Sequence, residues 1–246
     1  MPTTKKRKNM NRRLFIILCS AVISLSSMAV NAKPIKIACI GDSITFGARV
    51  KDPKKNAYPA QVQSILGPKY TVMNCGQNGI QMHGYLKRWA KRLQEFQPDI
   101  VTIKLGTNDT KRRDFSDPAN KAVFDKSFRA DTLGLLEFLS NLDSKPKVYL
   151  CYPVPVFNRK GKIRKQLVGR INEKSIVEDV LPAITKIAKE KNLTIIDLYA
   201  ALKGKSKLVP DDVHPGKEGQ TILAKTIAAA ITGKTVTKTK ELKDTP

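Results

Sequence analysis

A serine, a histidine and a carboxylate stand in this chain where they can act together. Gly41-Asp42-Ser43-Ile44-Thr45 follows an apolar run near the start, and Asp211-Asp212-Val213-His214-Pro215 precedes a final helical stretch. A hydroxyl is a poor nucleophile at neutral pH unless an imidazole takes its proton and a carboxylate holds that imidazole in the right tautomer. All three residue types are present, in the order Ser, Asp, His. The serine does not sit in the Gly-x-Ser-x-Gly elbow of the α/β-hydrolases, because Thr45 stands where that motif requires glycine. Taken alone, Ser43 reads first as a helix N-cap, so a chemical role for it depends on what else converges there.

Two further segments fall where such a site needs them. Asn74-Cys75-Gly76-Gln77-Asn78-Gly79 follows the run Tyr70-Thr71-Val72-Met73, and Gly106-Thr107-Asn108-Asp109 follows Ile100-Val101-Thr102-Ile103-Lys104-Leu105. Both lie just past the carboxyl end of an expected strand. In an open parallel sheet, ligands bind in the crevice outside those ends, so glycine N–H groups and an asparagine amide can converge there as oxyanion donors. Each segment alone is also an ordinary Gly/Asn turn. Four blocks in one order, each at a strand end, point to a site.

These blocks resemble the SGNH or GDSL hydrolases over residues 35–231, and the resemblance implies roles residue by residue. Ser43 corresponds to the nucleophile, His214 to the general base and Asp211 to its orienting carboxylate. Gly79, at the end of the Asn-x-Gly-x-x-Gly block, and Asn108 correspond to oxyanion donors, with the Ser43 backbone N–H completing the hole. Asp212 is a departure, standing where relatives carry a small or basic residue. It puts a second carboxylate beside His214, and the family's spacing of three favours Asp211 as the partner. Leu105-Gly106-Thr107-Asn108-Asp109-Thr110, Pro153-Val154-Pro155-Val156-Phe157 and Ile171-Asn172-Glu173 resemble bacterial members that act as carbohydrate O-acetylesterases, on sialate or xylan. The implied activity is a serine esterase cleaving short-chain, chiefly acetyl, esters through an acyl-enzyme. A lipid esterase, lysophospholipase or thioesterase of the same fold is the alternative within the class, and a non-catalytic basic envelope-binding protein the alternative outside it. A decayed site has no reason to keep all five residues, which argues against the last.

The elements that must hold these blocks follow from periodicity. Residues 35–40, 70–74, 99–105, 147–152 and 193–197 are apolar runs rich in Ile and Val, as a parallel sheet covered on both faces demands. Between them lie helical patterns: Phe128, Leu135, Leu139 and Leu142 share a face, as do Val177, Val180, Leu181, Ile184, Ile187 and Ala188, with Pro182 expected to kink the second. Alternating strand and helix predicts right-handed crossovers and an α/β, doubly wound, flavodoxin-like five-stranded sheet, with the order 2-1-3-4-5 implied by the family. A last helix over 217–231 anchors the loop that carries His214.

Residues 1–32 are expected to be a secretory signal peptide. Lys5, Lys6, Arg7, Lys8, Arg12 and Arg13 precede an apolar stretch from Leu14 to Val30, which ends in Val30-Asn31-Ala32. The strongly apolar part is short for a membrane span, so no stable span is expected after cleavage, and the location is periplasmic or extracellular. The domain then covers 33–232, and the Lys- and Thr-rich tail over 233–246 is expected to be disordered. The chain carries a formal charge of +24; removing six basic and no acidic residues with the first 32 leaves +18. Basic clusters at Lys51–Lys55, Lys87–Arg92 and Lys111–Arg113 read first as a solvated surface with no specific partner, and secondly as attracting anionic polymers such as acidic polysaccharides or lipopolysaccharide. No nucleic-acid motif accompanies the charge.

No Walker motif, dinucleotide fingerprint or metal-ligand spacing occurs, and the implied chemistry needs no cofactor. Cys39, Cys75 and Cys151 read as buried thiols; a Cys39–Cys75 bridge between adjacent strands is open to an oxidising compartment but is not expected. His83, the other histidine, is expected near the cleft, in a surface or packing role first and as a substrate contact second, and Trp89 in the core. Lys104, in the central strand, must snorkel or find a carboxylate.

Overall fold

Each of the five apolar runs becomes a strand. The computed structural model describes residues 33–111, 117–157, 159, 171 and 173–234; the expected signal peptide over 1–32 and the tail beyond Lys234 lie outside them. In chain order the principal elements are β1 (Ile35–Gly41), α1 (Ser43–Phe46), α2 (Tyr58–Leu66), β2 (Tyr70–Gly76), α3 (Tyr85–Phe96), β3 (Ile100–Lys104), α4 (Pro118–Ser140), β4 (Lys147–Cys151), α5 (Leu181–Glu190), β5 (Thr194–Ile196), α6 (Leu198–Leu202) and α7 (Lys217–Thr232). The strands pair in parallel in the order β2-β1-β3-β4-β5, as expected. The chain leaves β1 for one neighbour and enters β3 on the other side, so the crevice outside the strand ends opens beside β1, directly before Ser43.

Alternation along the strands divides the core in two. Ala38 and Ile40 of β1, with Val101 and Ile103 of β3, pack against α3, α4 and α5 through Tyr85, Leu93, Phe128, Leu135 and Ile187. Ile37 and Cys39 face the other layer, where Tyr58 and Val62 of α2 meet Leu198 of α6 and Leu223 and Ile227 of α7. Both faces are therefore covered, which is why the strands read as continuous apolar runs rather than as alternating ones. Cys39 and Cys75 sit on opposite faces of neighbouring strands, with Cys75 paired in register to Ile40. No bridge joins them, and all three described cysteines are free and buried. Burial pushes the Cys39 thiol up to about 12 and raises Cys75 and Cys151 likewise.

The expected kink at Pro182 takes a different form. A five-residue π-helical segment, Ile176–Val180, runs straight into α5, and Pro182, which has no N–H to continue the ladder, is the second residue of α5, directly after it. No described helix is long and apolar enough to cross a membrane.

Candidate active site

The turn after β1 aims Ser43 into the crevice. Asp42, not Ser43, is the N-cap of α1, its Oδ1 accepting the Ile44 N–H at 2.9 Å. With capping assigned to its neighbour, the Ser43 hydroxyl is left for other work, and its Oγ lies 2.9 Å from His214 Nε2. Gly76 makes this placement possible: a Cβ there would lie 2.1 Å from the Phe46 backbone nitrogen, so only glycine lets the end of β2 pack against α1.

Asp42 is itself held by the residue whose burial was unexplained in the sequence. Lys104, at the end of β3, is fully buried and directs Nζ at Asp42 Oδ1 (2.9 Å), Asp42 Oδ2 (2.8 Å) and Thr107 Oγ1 (3.0 Å), which uses all three ammonium protons. Desolvation outweighs the attraction of Asp42 and holds Lys104 below the usual lysine range. From the other side, Gln220 of α7 donates to Ile44 O at 3.0 Å and accepts the Tyr58 N–H at 2.8 Å. The helix that follows His214 is thus tied to the helix that carries Ser43.

The histidine loop resolves the choice between the two carboxylates. Asp211 Oδ2 lies 2.8 Å from His214 Nδ1, and its Oδ1 accepts the His214 backbone N–H at 2.7 Å. Burial alone would raise Asp211, but the bonds from the His214 ring and from the His214 and Val213 backbone together hold it down at about 2. Asp212 points elsewhere. It adopts a left-handed backbone (φ 66°), is fully buried, and accepts from the Nε and backbone N–H of Arg159. Arg159 also donates to Val209 O and Pro210 O, and the Phe157 N–H donates to Asp212 O at 2.9 Å. The loop after β4 therefore clamps the loop of His214. Nothing in sequence spacing marks Arg159; the signal was the unexplained second acid at 212.

The two remaining blocks line the same cleft. Gly79 (φ 73°) and Asn108 stand with Ser43 and His214 around a cavity of ≈ 520 Å³, walled also by Phe46, Arg49, Lys111 and Ile171. Among the described residues no hydrogen bond engages the backbone N–H of Ser43 or of Gly79. Asn108 donates one amide proton to Ile80 O at 2.9 Å and has a second to offer. Asp109 accepts the Met82 N–H at 3.0 Å and Gln81 donates to Asn108 O, so the two loops brace each other. The five residues to which the resemblance assigns roles, Ser43, Gly79, Asn108, Asp211 and His214, are brought together.

Other expectations resolve simply. His83 is not at the cleft: it is solvent-exposed, its Nδ1 3.5 Å from Asp131. Trp89 is 8% exposed and stacks on Tyr85. Among the described residues no three His, Cys, Asp or Glu side chains group as metal ligands.

The sequence profile of the GDSL-like lipase/acylhydrolase family matches residues 39–222. An acetylxylan esterase of Xylanibacter ruminicola is 35% identical over 80% of this chain, and the chain spans 43% of that relative's length. An acetylxylan esterase of Geobacillus stearothermophilus is 27% identical, over 77% of this chain and 90% of its own. Among solved structures, an acetylxylan esterase from Geobacillus stearothermophilus superposes with a TM-score of 0.61 at 25% identity, covering 83% of this chain and 97% of that one. A lipase/acylhydrolase from Enterococcus faecalis has the same fold, with a TM-score of 0.61 at 24% identity over 83% of this chain and 100% of its own.

Proposed function

We propose that this chain, which belongs to the GDSL-like lipase/acylhydrolase family, is a carboxylic-ester hydrolase that removes short acyl groups, acetyl above all, from carbohydrates through an acyl-enzyme. The observation that carries the reading is the relay from Asp211 to His214 (2.8 Å) to Ser43 (2.9 Å), opening on a cleft with uncommitted N–H donors. With Nδ1–H given to Asp211, Nε2 is free to take the Ser43 proton as Oγ attacks the ester carbonyl. Negative charge then collects on the carbonyl oxygen, where the Ser43 and Gly79 N–H groups and the Asn108 amide receive it. His214 passes the proton to the departing alcohol, and water repeats the sequence on the acyl-enzyme.

The preference for acetylated sugars rests on the cleft and on the two acetylxylan esterase relatives. Arg49, Asn78 and Lys111 share its wall with a few apolar side chains, which suits a small acyl group on a polar acceptor better than a long hydrocarbon chain. The basic, then apolar, N-terminal segment supports export across a bacterial membrane.

The test is turnover of an aryl acetate and of acetylated xylo-oligosaccharides by purified protein. Ser43→Ala and His214→Ala are each expected to lower kcat by several orders of magnitude, with the double variant little worse, because the pair acts as a unit. Near-native turnover by Ser43→Ala would overturn the mechanism. A preference for octanoyl over acetyl esters would move the protein to the lipid-esterase reading.

A further inference from the structure

A second groove, larger than the ester cleft at ≈ 770 Å³, runs along the outer edge of the sheet. Its floor is the edge strand β2, and its walls are α2, α3 and the short helical turn Pro53–Asn56. Phe46 and Pro53 line both this groove and the cleft of Ser43, so one surface leads into the other. Three cations converge on it: Lys54 and Lys55 from the turn and Arg92 from α3. No carboxylate is among the residues that line it, and among the described residues no carboxylate oxygen lies within 4 Å of the charged nitrogens of the three.

The charge is placed rather than diffuse. The Arg92 guanidinium lies over the Trp89 ring, 5.2 Å from its centroid, which fixes the direction of its donors in advance. Beside it Phe46 is 44% exposed, an apolar plate at the junction with the ester cleft. Asn74 Oδ1 accepts the Gly76 N–H at 2.9 Å, and its amide NH₂ is kept for a ligand. The strand edge itself is closed to a further strand where Gln63 takes the Val72 N–H at 2.8 Å and donates to Tyr70 O at 2.9 Å. A peptide adding to the sheet is thereby disfavoured, and side-chain recognition is what the groove offers.

We propose that this groove binds the backbone of a glycan bearing uronic-acid substituents, with Arg92, Lys54 and Lys55 receiving carboxylates while an acylated sugar of the same chain occupies the cleft of Ser43. The inference rests on the esterase reading for the choice of a sugar polymer. Planar carboxylates match the fork of a stacked guanidinium, an apolar plate matches the C–H face of a pyranose, and an amide matches its hydroxyls. Continuity with the ester cleft makes the occupant the remainder of the substrate rather than an unrelated anion.

The test compares an acetylated glucuronoxylan with the same polymer after its carboxyl groups are reduced. Wild-type protein is expected to favour the acidic polymer in kcat/KM by roughly tenfold at low salt, and Lys54→Gln/Lys55→Gln/Arg92→Gln to abolish that preference. Lys186→Gln/Lys189→Gln/Lys203→Gln removes the same charge around α5 and α6, beside the opposite edge of the sheet, and should retain it. Equal loss in both triple variants, or no preference in the wild type, would overturn the proposal, as would tighter binding of a polyphosphate or an oligonucleotide than of the acidic glycan. Calorimetry with the two deacetylated polymers reads the groove without turnover. Failure of all ester hydrolysis with retained, groove-dependent binding of the acidic polymer would sink the esterase reading and leave the groove standing.

Discussion

Replacing Lys104 by Met should unfold this protein more readily than any surface change, and its cost can be worked from the contacts. Lys104 and Asp42 are fully buried to within 1%, and the ammonium spends its three protons on Asp42 and Thr107. Methionine fills nearly the same volume but leaves the Asp42 carboxylate, among the described residues, with only the Ile44 N–H as a hydrogen-bond partner. Breaking a buried pair from one side costs about 3–5 kcal/mol. For a domain of this size each kcal/mol moves Tm by roughly 2–4 °C, so a fall of about 6–20 °C is expected. The companion variant Asp42→Asn/Lys104→Met removes both charges and keeps an N-cap, because asparagine caps as well as aspartate. It should recover more than half of the loss. Trp89, the sole tryptophan and 8% exposed, reports unfolding by fluorescence in a urea titration at neutral pH. A Lys104→Met variant within about 1 kcal/mol of wild type, or a double variant no more stable than the single, would refute the claim that this pair holds the nucleophile turn.

Asn108→Ala should lower kcat by roughly 10²–10³ with little change in KM, since its donor serves charge that exists only in the transition state; a rise in KM alone would recast Asn108 as a substrate contact. Arg159→Ala leaves Asp212 buried and unpaired beneath the His214 loop, so kcat should fall at least about tenfold while KM holds, and Arg159→Lys should rescue only part of it; unchanged kcat would mean that the clamp does not position His214. Asp211, held at about 2 against an ordinary 3.8, binds protons less readily folded than unfolded, so its contribution is complete above about pH 4 and is lost as pH falls toward 2. Screened for its partial exposure, that contribution is roughly 1 kcal/mol, and the stability gap between wild type and Asp211→Asn, followed by urea midpoints, should shrink across that window. The Cys39 thiol, pushed up to about 12, should resist a thiol reagent at pH 8 until denaturant is added; rapid labelling of the native protein would contradict its burial.

The sheet was legible because its physics is repetitive. A strand buried on both faces is apolar at nearly every position, and the five apolar runs marked the strands with boundaries within two residues. Strand order came from the family, and the register that puts Cys39 and Cys75 on opposite faces needed the pairing itself. The reacting residues were legible for a different reason. Ser43, Gly79 and Asn108 lie just past strand ends that the doubly wound topology gathers, while Asp211 and His214 precede α7, and the role of each came from the family resemblance.

The groups that hold those residues in place follow no such rule. Asp42, Lys104, Gln220 and Arg159 each act across 50 or more residues of chain, through bonds that carry no periodicity. What betrayed them was expense: a lysine in a central strand and an acid where one carboxylate already serves are costly to bury, and each cost had to be met by a partner somewhere. Lys104 found Asp42 and Asp212 found Arg159, and in both cases the neutralised charge lies one residue from the reacting group or from its carboxylate, Ser43 in the first and Asp211 in the second. A buried charge with a fixed partner is a weak source of net stability but a strong source of direction: Lys104 and Asp42 are buried together, and Asp212 is fully buried against a half-exposed Arg159, so displacing the partner strands the carboxylate in an apolar interior. The two costly residues are therefore best understood as fixing where Oγ and the imidazole point, and the variants at Lys104 and Arg159 separate that role from bulk stability because only one of the two is expected to act chiefly through kcat.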